Sequence, residues 1–386
     1  MIKKNNAIIE WLLGISLFIM TNPCFFWSAQ AIVLMSVILF YIIALTNNSI
    51  VQQRYVLAFV LFTLFYLLVG IRYGIKPALF YTMAIPLVFL IKPSLLVRGF
   101  NRFIEVLSLM LACSLIVYVL VAFLGFSLPH VTIDPINEFK VKEGFVYDMY
   151  PFLIFDPRDL GAIFQRFHGI YDEPGVVGTM CAVILSANGY NLRKWYYIVL
   201  FIAGLFSFSL FFYIVTVCYY IINVRLRNMG YVLVIFALIV YGLSFIPGID
   251  ILITNRFIIE DGVWQGNSRG TADYEKWYSN FRHTPEYLWG LGPGANLKYN
   301  PGGSSYKDMI VNYGLPMFII YILSYVVLIL RTKTSVRNLI ITSLVVFGYI
   351  FQRPFITDVF MQVILLYFIY KNAENRYELS NSNKNS

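Results

Sequence analysis

Charge is what this chain has least of. Of its 386 residues only 13% are Asp, Glu, Lys or Arg, about half the share typical of soluble domains. A chain so short of charge has too little polar surface to face water on all sides, which argues against an ordinary soluble domain. Histidine is scarce too: His130, His168 and His283 are the only three, and they lack ligand spacing. The four cysteines (Cys24, Cys113, Cys181, Cys218) are scattered, three of them inside apolar runs, so neither a disulfide framework nor a zinc site is expected. No Asp-x-Asp metal motif, no phosphate-binding loop ending in Lys-Ser/Thr and no internal repeat is present. No cofactor and no metal is therefore expected.

What fills the chain is apolar. Hydrophobic residues make up 59% and aromatics 18%, with a mean hydropathy of +0.71. Apolar runs lie near 7–21, 29–45, 55–71, 77–91, 103–125, 174–189, 195–208, 209–223, 230–246, 305–330, 336–351 and 354–370. Read as spans, they predict an all-α polytopic membrane protein of about twelve transmembrane helices. The chain forms one integral membrane domain, 1–386. Several runs fall short of the ~20 residues a perpendicular helix needs, so they must borrow interfacial residues. The 195–223 stretch is too long for one helix and divides at Ser207 and Ser209. Lys3 and Lys4 precede the first run without a small-residue cleavage site, so that run is expected to stay as an anchor.

The net charge of +9 does not point to nucleic acid, because the basic residues form short clusters between apolar runs. With the N-terminus inside, sixteen of the 29 basic residues fall on inner segments and three, Arg72, Lys76 and Arg353, on short outer connections. This asymmetry predicts a multi-pass membrane protein with both termini cytoplasmic. Sixteen of the 20 acids fall on the outer side, mostly in two long outer loops, 126–173 and 247–304. Loops this long are usually functional, and their aromatic, Pro and Gly content predicts order. Glu10 and Glu105 lie near inner ends, where snorkelling accounts for them. The polar tail 371–386 is expected to be cytoplasmic and frayed.

Three stretches can carry chemistry. The first is Arg166-Phe-His168-Gly169-Ile-Tyr-Asp172-Glu173-Pro174-Gly175-Val-Val-Gly178. Glu173 and Pro174 suit a helix start, and Gly175 and Gly178 suit close helix packing. That leaves Arg166, whose planar fork suits phosphate oxygens, unexplained beside an acid. The second is Arg282-His283-Thr-Pro-Glu286-Tyr-Leu-Trp-Gly290-Leu-Gly292-Pro-Gly294. Its glycines permit left-handed backbone and close approach to an anion, while a plain Gly-Pro turn with solvated charges explains it as well. The third, Ser304-Ser305-Tyr306-Lys307-Asp308 running to Gly314-Leu315-Pro316, has a capping-box spacing at Ser305 and Asp308. Lys307 opposes the helix dipole there, as a residue with a phosphate neighbour would. Arg353 and Asp358, at the outer start of the last span, can pair with each other or line the site.

The order of these elements resembles the Wzy-type O-antigen and capsule repeat-unit polymerases, within the superfamily that includes the O-antigen ligases. The resemblance rests on the long outer loop, Arg166-x-x-Gly169-x-x-Asp172-Glu173-Pro174-Gly175, the second long loop, Gly290-Leu-Gly292-Pro-Gly294, then Ser305-Tyr306 and the Gly314-Leu315-Pro316 helix. About thirty residues carry it. It implies a GT-C-like, metal-independent glycosyltransferase of polysaccharide and lipopolysaccharide biosynthesis. An undecaprenyl-diphosphate-linked glycan would be transferred onto a lipid-linked repeat unit at the outer face of the inner membrane. Glu173, His283 and Asp308 would then be catalytic candidates. Arg166, Arg282, Gly292, Gly294, Lys307 and Arg353 would hold diphosphate or glycan. The implied partners are the undecaprenyl-diphosphate-linked oligosaccharide, membrane lipid and a chain-length regulator protein, with no nucleic acid. The ligases typically carry His-Asn where this chain has Ser304-Ser305, which leaves the general base open. The other readings are a ligase and a lipid-linked oligosaccharide flippase or transporter, which would place its charges along a path through the membrane interior.

Overall fold

The computed structural model describes residues 2–47, 51–73, 84–136, 140–141, 144–156, 165–223, 241, 259–260, 263–264, 272–299, 305–332, 334–353 and 355–382. Helix accounts for 73% of it and strand for 3%, an all-α architecture. The principal helices are α1 (Ile2–Met20), α2 (Gln30–Thr46), α3 (Val56–Tyr73), α4 (Pro93–Tyr118), α5 (Pro174–Ala187), α6 (Trp195–Phe206) and α7 (Leu210–Asn223). After the second long loop come α8 (Ala272–Phe281), α9 (Glu286–Trp289), α10 (Asn296–Tyr299), α11 (Tyr306–Tyr313), α12 (Leu315–Leu330), α13 (Val336–Gln352) and α14 (Val359–Ser382).

These helices form because the runs are apolar throughout, and they pack with apolar residues facing outward as well as inward. On α3, Val56, Leu57, Val60, Leu64, Leu67 and Ile71 are exposed while Ala58, Phe62, Phe65, Tyr66 and Val69 are buried. A helix that is hydrophobic all round suits a lipid surrounding. Two segments among the described residues, Gln53–Tyr73 with 21 residues and Pro93–Phe123 with 31, are long and apolar enough to cross a membrane. Eight shorter apolar helices accompany them. The interior is rich in rings: Phe62 stacks on Tyr321 at 5.8 Å and Phe100 on Tyr367 at 3.9 Å. Small residues let helices approach. A Cβ on Gly99 would lie 2.3 Å from the Leu13 side chain, which is why α1 and α4 can pack as closely as they do.

Most expected spans appear as helices, with four differences. The run 305–330 is two helices, because Gly314 (φ +88°) breaks it and Pro316 restarts it. Of 77–91, the described part is a 3-10 turn, Ile85–Leu90, where Pro86 withholds an amide from an α-helix. The run 230–246 lies, except for residue 241, outside the described residues. The last helix starts at Val359 rather than 354 and continues through Ser382, into the tail expected to fray. The division of 195–223 falls where expected: α6 ends at Phe206, Phe208 takes φ +49° and α7 starts at Leu210. Glu10 pairs with Arg98 at 2.6 Å and Glu105 with Arg102 at 3.1 Å, so both acids have a local cation.

The first long loop adds strand to the expected helices. β1 (Val131–Ile133), β2 (Tyr147–Tyr150) and β3 (Leu153–Phe155) form an antiparallel sheet in the order β1-β2-β3. Asp148 faces Phe155, and Thr132 faces Asp148. In the second loop β4 (Ile259–Glu260) pairs with β5 (Val263–Trp264). Residues 167–170 are fastened to the sheet, to the end of α6 and to the turn after α1: Ile154 N–H donates to Gly169 O at 2.8 Å, Phe167 N–H to Phe206 O at 2.8 Å, and Cys24 N–H to Ile170 O at 2.9 Å. These backbone bonds fix the path of 165–173 into α5 and so set the position of Glu173.

Candidate functional site

Glu173 occupies the N-cap position of α5 in extended backbone, with Pro174 as the first helical residue. Its carboxylate makes no capping bond. It forms an ion pair instead with the Arg353 guanidinium at the end of α13. Its other oxygen lies 3.6 Å from the Lys140 ammonium. Lys140 sits 3.0 Å from the Asp172 carboxylate and donates to the Tyr147 hydroxyl at 3.0 Å. Tyr147, on β2, passes the chain on by donating to Asp172 O at 3.1 Å. Burial, then the Asp172 charge, pushes the Tyr147 phenol well above its usual range, so it stays a neutral donor. Lys140 is 16% exposed, Arg353 22% and Glu173 27%, enough shielding to make these pairs stronger than surface ones.

The cluster is therefore built from three places in the sequence: the first loop, the start of α5 and the end of α13. Arg166 is half-buried on the approach to α5, and His168 is buried with its ring 6.0 Å from that of Tyr147. The expected alternative, Arg353 paired with Asp358, gives way to Arg353 on Glu173. Asp358 accepts instead from Met361 N–H at 3.1 Å, filling one of the open amides at the start of α14.

A second cluster lies at the start of α11. The capping box is present: Lys307 N–H donates to Ser305 Oγ at 3.3 Å, and Ser305 N–H to Asp308 Oδ2 at 2.8 Å. The other Asp308 oxygen accepts from the Tyr274 hydroxyl at 2.8 Å. Burial and Asp308 push that phenol up as well. Lys307 pairs with Glu275 of α8 and lies 5.2 Å over the Tyr278 ring, which explains how a cation is tolerated at a helix start. Tyr306 packs edge-on against Phe351 at 5.0 Å, and Phe351 stands two residues before Arg353. That contact sets the start of α11 beside the end of α13 that carries Arg353.

The glycine stretch is a packed turn. Gly290, Gly292 and Gly294 all have positive φ. Leu291 N–H donates to Val311 O at 2.7 Å and Gly292 N–H to Asn312 O at 3.0 Å, so these amides serve α11. A Cβ at Gly290 would lie 2.6 Å from Asn312 O. Arg282 and His283 are exposed on the turn after α8, and neither has an ion-pair partner among the described residues. The structure thus joins Glu173 to Arg353, Lys307 to Asp308 through one helix turn, and Gly292 to α11. It leaves Arg282 and His283 apart from both ion clusters.

Sequence reasoning passed over Lys140, Tyr147, Tyr274 and Glu275. A signal existed for the first: Asp172 and Glu173 are adjacent acids that need cations from elsewhere, and the loop before them carries several. Nothing in the spacing pointed to the two tyrosines. No protein-family model, no curated protein and no solved structure matches this chain.

Proposed function

We propose that this chain is a membrane-embedded glycosyltransferase of the repeat-unit polymerase type, with about twelve spans, cytoplasmic termini and its site at the outer face. The observation that carries this reading is the Glu173 carboxylate set between Arg353 and Lys140, where the first long loop meets the end of α13. The reaction needs a cationic seat for a diphosphate leaving group and a base for an acceptor hydroxyl. Arg353, Lys140 and Arg166 supply the seat. The donor diphosphate draws the cations away from Glu173, and the released carboxylate becomes the stronger base. The acceptor oxygen then bonds to the anomeric carbon of the donor glycan. The bond from that carbon to the diphosphate oxygen breaks, the hydroxyl proton passes to Glu173, and undecaprenyl diphosphate leaves as the anion.

In this scheme Asp308 holds the second loop through its capping box and Tyr274, rather than taking the proton. Lys307 is anchored by Glu275. Arg282 and His283, on an exposed turn, are placed to meet glycan. A flippase or transporter would need charge along an interior path. Beyond Asp358 at the outer end of α14, the described interior between α12 and α14 offers phenols and an amide: Tyr321 donates to Gln362 Oε1 at 3.0 Å, and Gln362 Nε2 donates to Phe355 O at 2.9 Å. Deleting the gene and examining the surface glycan separates these readings. A product capped at one repeat unit is expected, and loss of the glycan altogether would contradict the polymerase reading.

A further inference from the structure

At the far end of the bundle from Glu173 lies a cavity of about 120 Å³. Its place follows from the topology: it is lined by the start of α3 and the end of the apolar part of α14, whereas the other ends of those helices lie at the candidate site. Gln52, Arg54, Lys92 and Ser94 form its polar wall, and Tyr55 and Tyr370, tilted rings 5.3 Å apart, form its floor. Arg54 is held in place. Its Nε donates to Gln52 Oε1 at 3.0 Å, and its guanidinium lies 4.6 Å over the Tyr55 ring. Lys92 is the N-cap residue of the 26-residue α4, whose start has Pro93 and no side-chain cap.

Two cations thus share one cavity, and neither has a carboxylate partner among the residues whose side chains the structure describes, which on α14 end at Ala373. Lys92 is exposed and Arg54 half-buried, so water screens part of their repulsion and an anion between them would lower the rest. The volume is several times what one water needs, enough for a tetrahedral anion. The outward stripe of α3 begins beside it with Val56 and Leu57, then Val60 and Leu64, all exposed. The 18 residues of α3 span about 27 Å at 1.5 Å each. That is close to the ~30 Å hydrocarbon thickness of a bilayer, so the cavity sits at headgroup depth.

We propose that this cavity binds the phosphodiester of an anionic glycerophospholipid in the inner leaflet, with Arg54 and Lys92 on the phosphate and an acyl chain along the Val56–Leu64 stripe. The inference rests on the membrane-spanning reading and is independent of the transferase reading. Basic pockets between helices on the cytoplasmic side are suited to anionic headgroups.

The test is native mass spectrometry of the full chain in detergent with added phosphatidylglycerol, phosphatidylcholine or inorganic phosphate. Wild type should retain one phosphatidylglycerol, at least about 10-fold tighter than phosphatidylcholine, and millimolar inorganic phosphate should not displace it. The double variant Arg54→Gln/Lys92→Gln should lose the preference. Gln52→Glu, at an exposed position, should lose it too by giving Arg54 an internal carboxylate, with little risk to folding. Unchanged binding in Gln52→Glu and the double variant would overturn the proposal. Full displacement by inorganic phosphate would also overturn it, by marking a site for a free anion.

Discussion

Glu173 shows how differently one residue reads in sequence and in structure. Before Pro174 it looks like a helix cap, and its backbone does cap α5, yet its carboxylate goes to Arg353 and Lys140. Glu173→Gln should therefore cost stability through charge rather than capping. Leaving the partly buried Arg353 without its carboxylate, while Lys140 keeps Asp172, should cost about 1–3 kcal/mol, less than a fully buried pair and more than a surface one. Thermal unfolding in detergent would measure it. Arg353→Lys should be nearly as damaging to product formation as Arg353→Ala, since Lys lacks the fork that grips two oxygens. Equal polymer length in wild type and Arg353→Lys would remove Arg353 from the diphosphate seat. Tyr147 carries a pH prediction. Its phenol, ordinarily titrating near about pH 10, is raised in the fold by burial and by Asp172. The folded state favours the neutral form, so this contribution is fully present below about pH 10 and is lost as pH rises further. Tyr147→Phe should flatten the alkaline fall in stability followed by circular dichroism. Much of this site could be read in the sequence, because Asp172, Glu173, Pro174 and Arg353 stand out by type and place. Lys140 and Tyr147 could not, because their roles come from a sheet that brings 140 and 147 back to 172.

At the level of elements, two glycines separate packing from turn geometry. Gly178 lets α5 rest on the α6–α7 turn: a Cβ there would lie 2.2 Å from Ser209 Cβ and 2.5 Å from Ser207 Oγ. Gly178→Val should lower folded yield sharply on size exclusion. In the second loop, Gly290→Ala meets both a φ of +73° and backbone 2.6 Å away. Gly294→Ala meets a φ of +79° but nothing nearer than 3.9 Å. The second should cost about 1–2 kcal/mol, the left-handed penalty alone, and the first considerably more. Equal effects in a thermal-shift assay would contradict the packing of this turn against α11. The helices themselves were legible as apolar runs, as was the split at Ser207 and Ser209. The break at Gly314 is not legible in the same way, because a single Gly and Pro inside a long apolar run fits a kinked helix equally well. The sheet at 131–155 is three short strands in a loop read for composition alone, so nothing in a helical period could reveal it.

Across the whole molecule, both long loops should face outward and both termini inward, because basic residues on the short connections favour the inner side. Val141 and His283 are exposed on the two loops. Val141→Cys and His283→Cys should react with a membrane-impermeant maleimide on intact spheroplasts, whereas Lys92→Cys should react only after permeabilisation. The reverse pattern would invert the topology. The central claim is that the cluster of Glu173, Arg353 and Lys140 is the seat of glycan transfer. Its most direct test is purified protein incubated with undecaprenyl-diphosphate-linked repeat units, comparing wild type with Glu173→Gln at matched folded yield. The account predicts a ladder of polymer from wild type, unaffected by a chelator, and none from Glu173→Gln. A full ladder from Glu173→Gln, or no ladder from folded wild type, would contradict it.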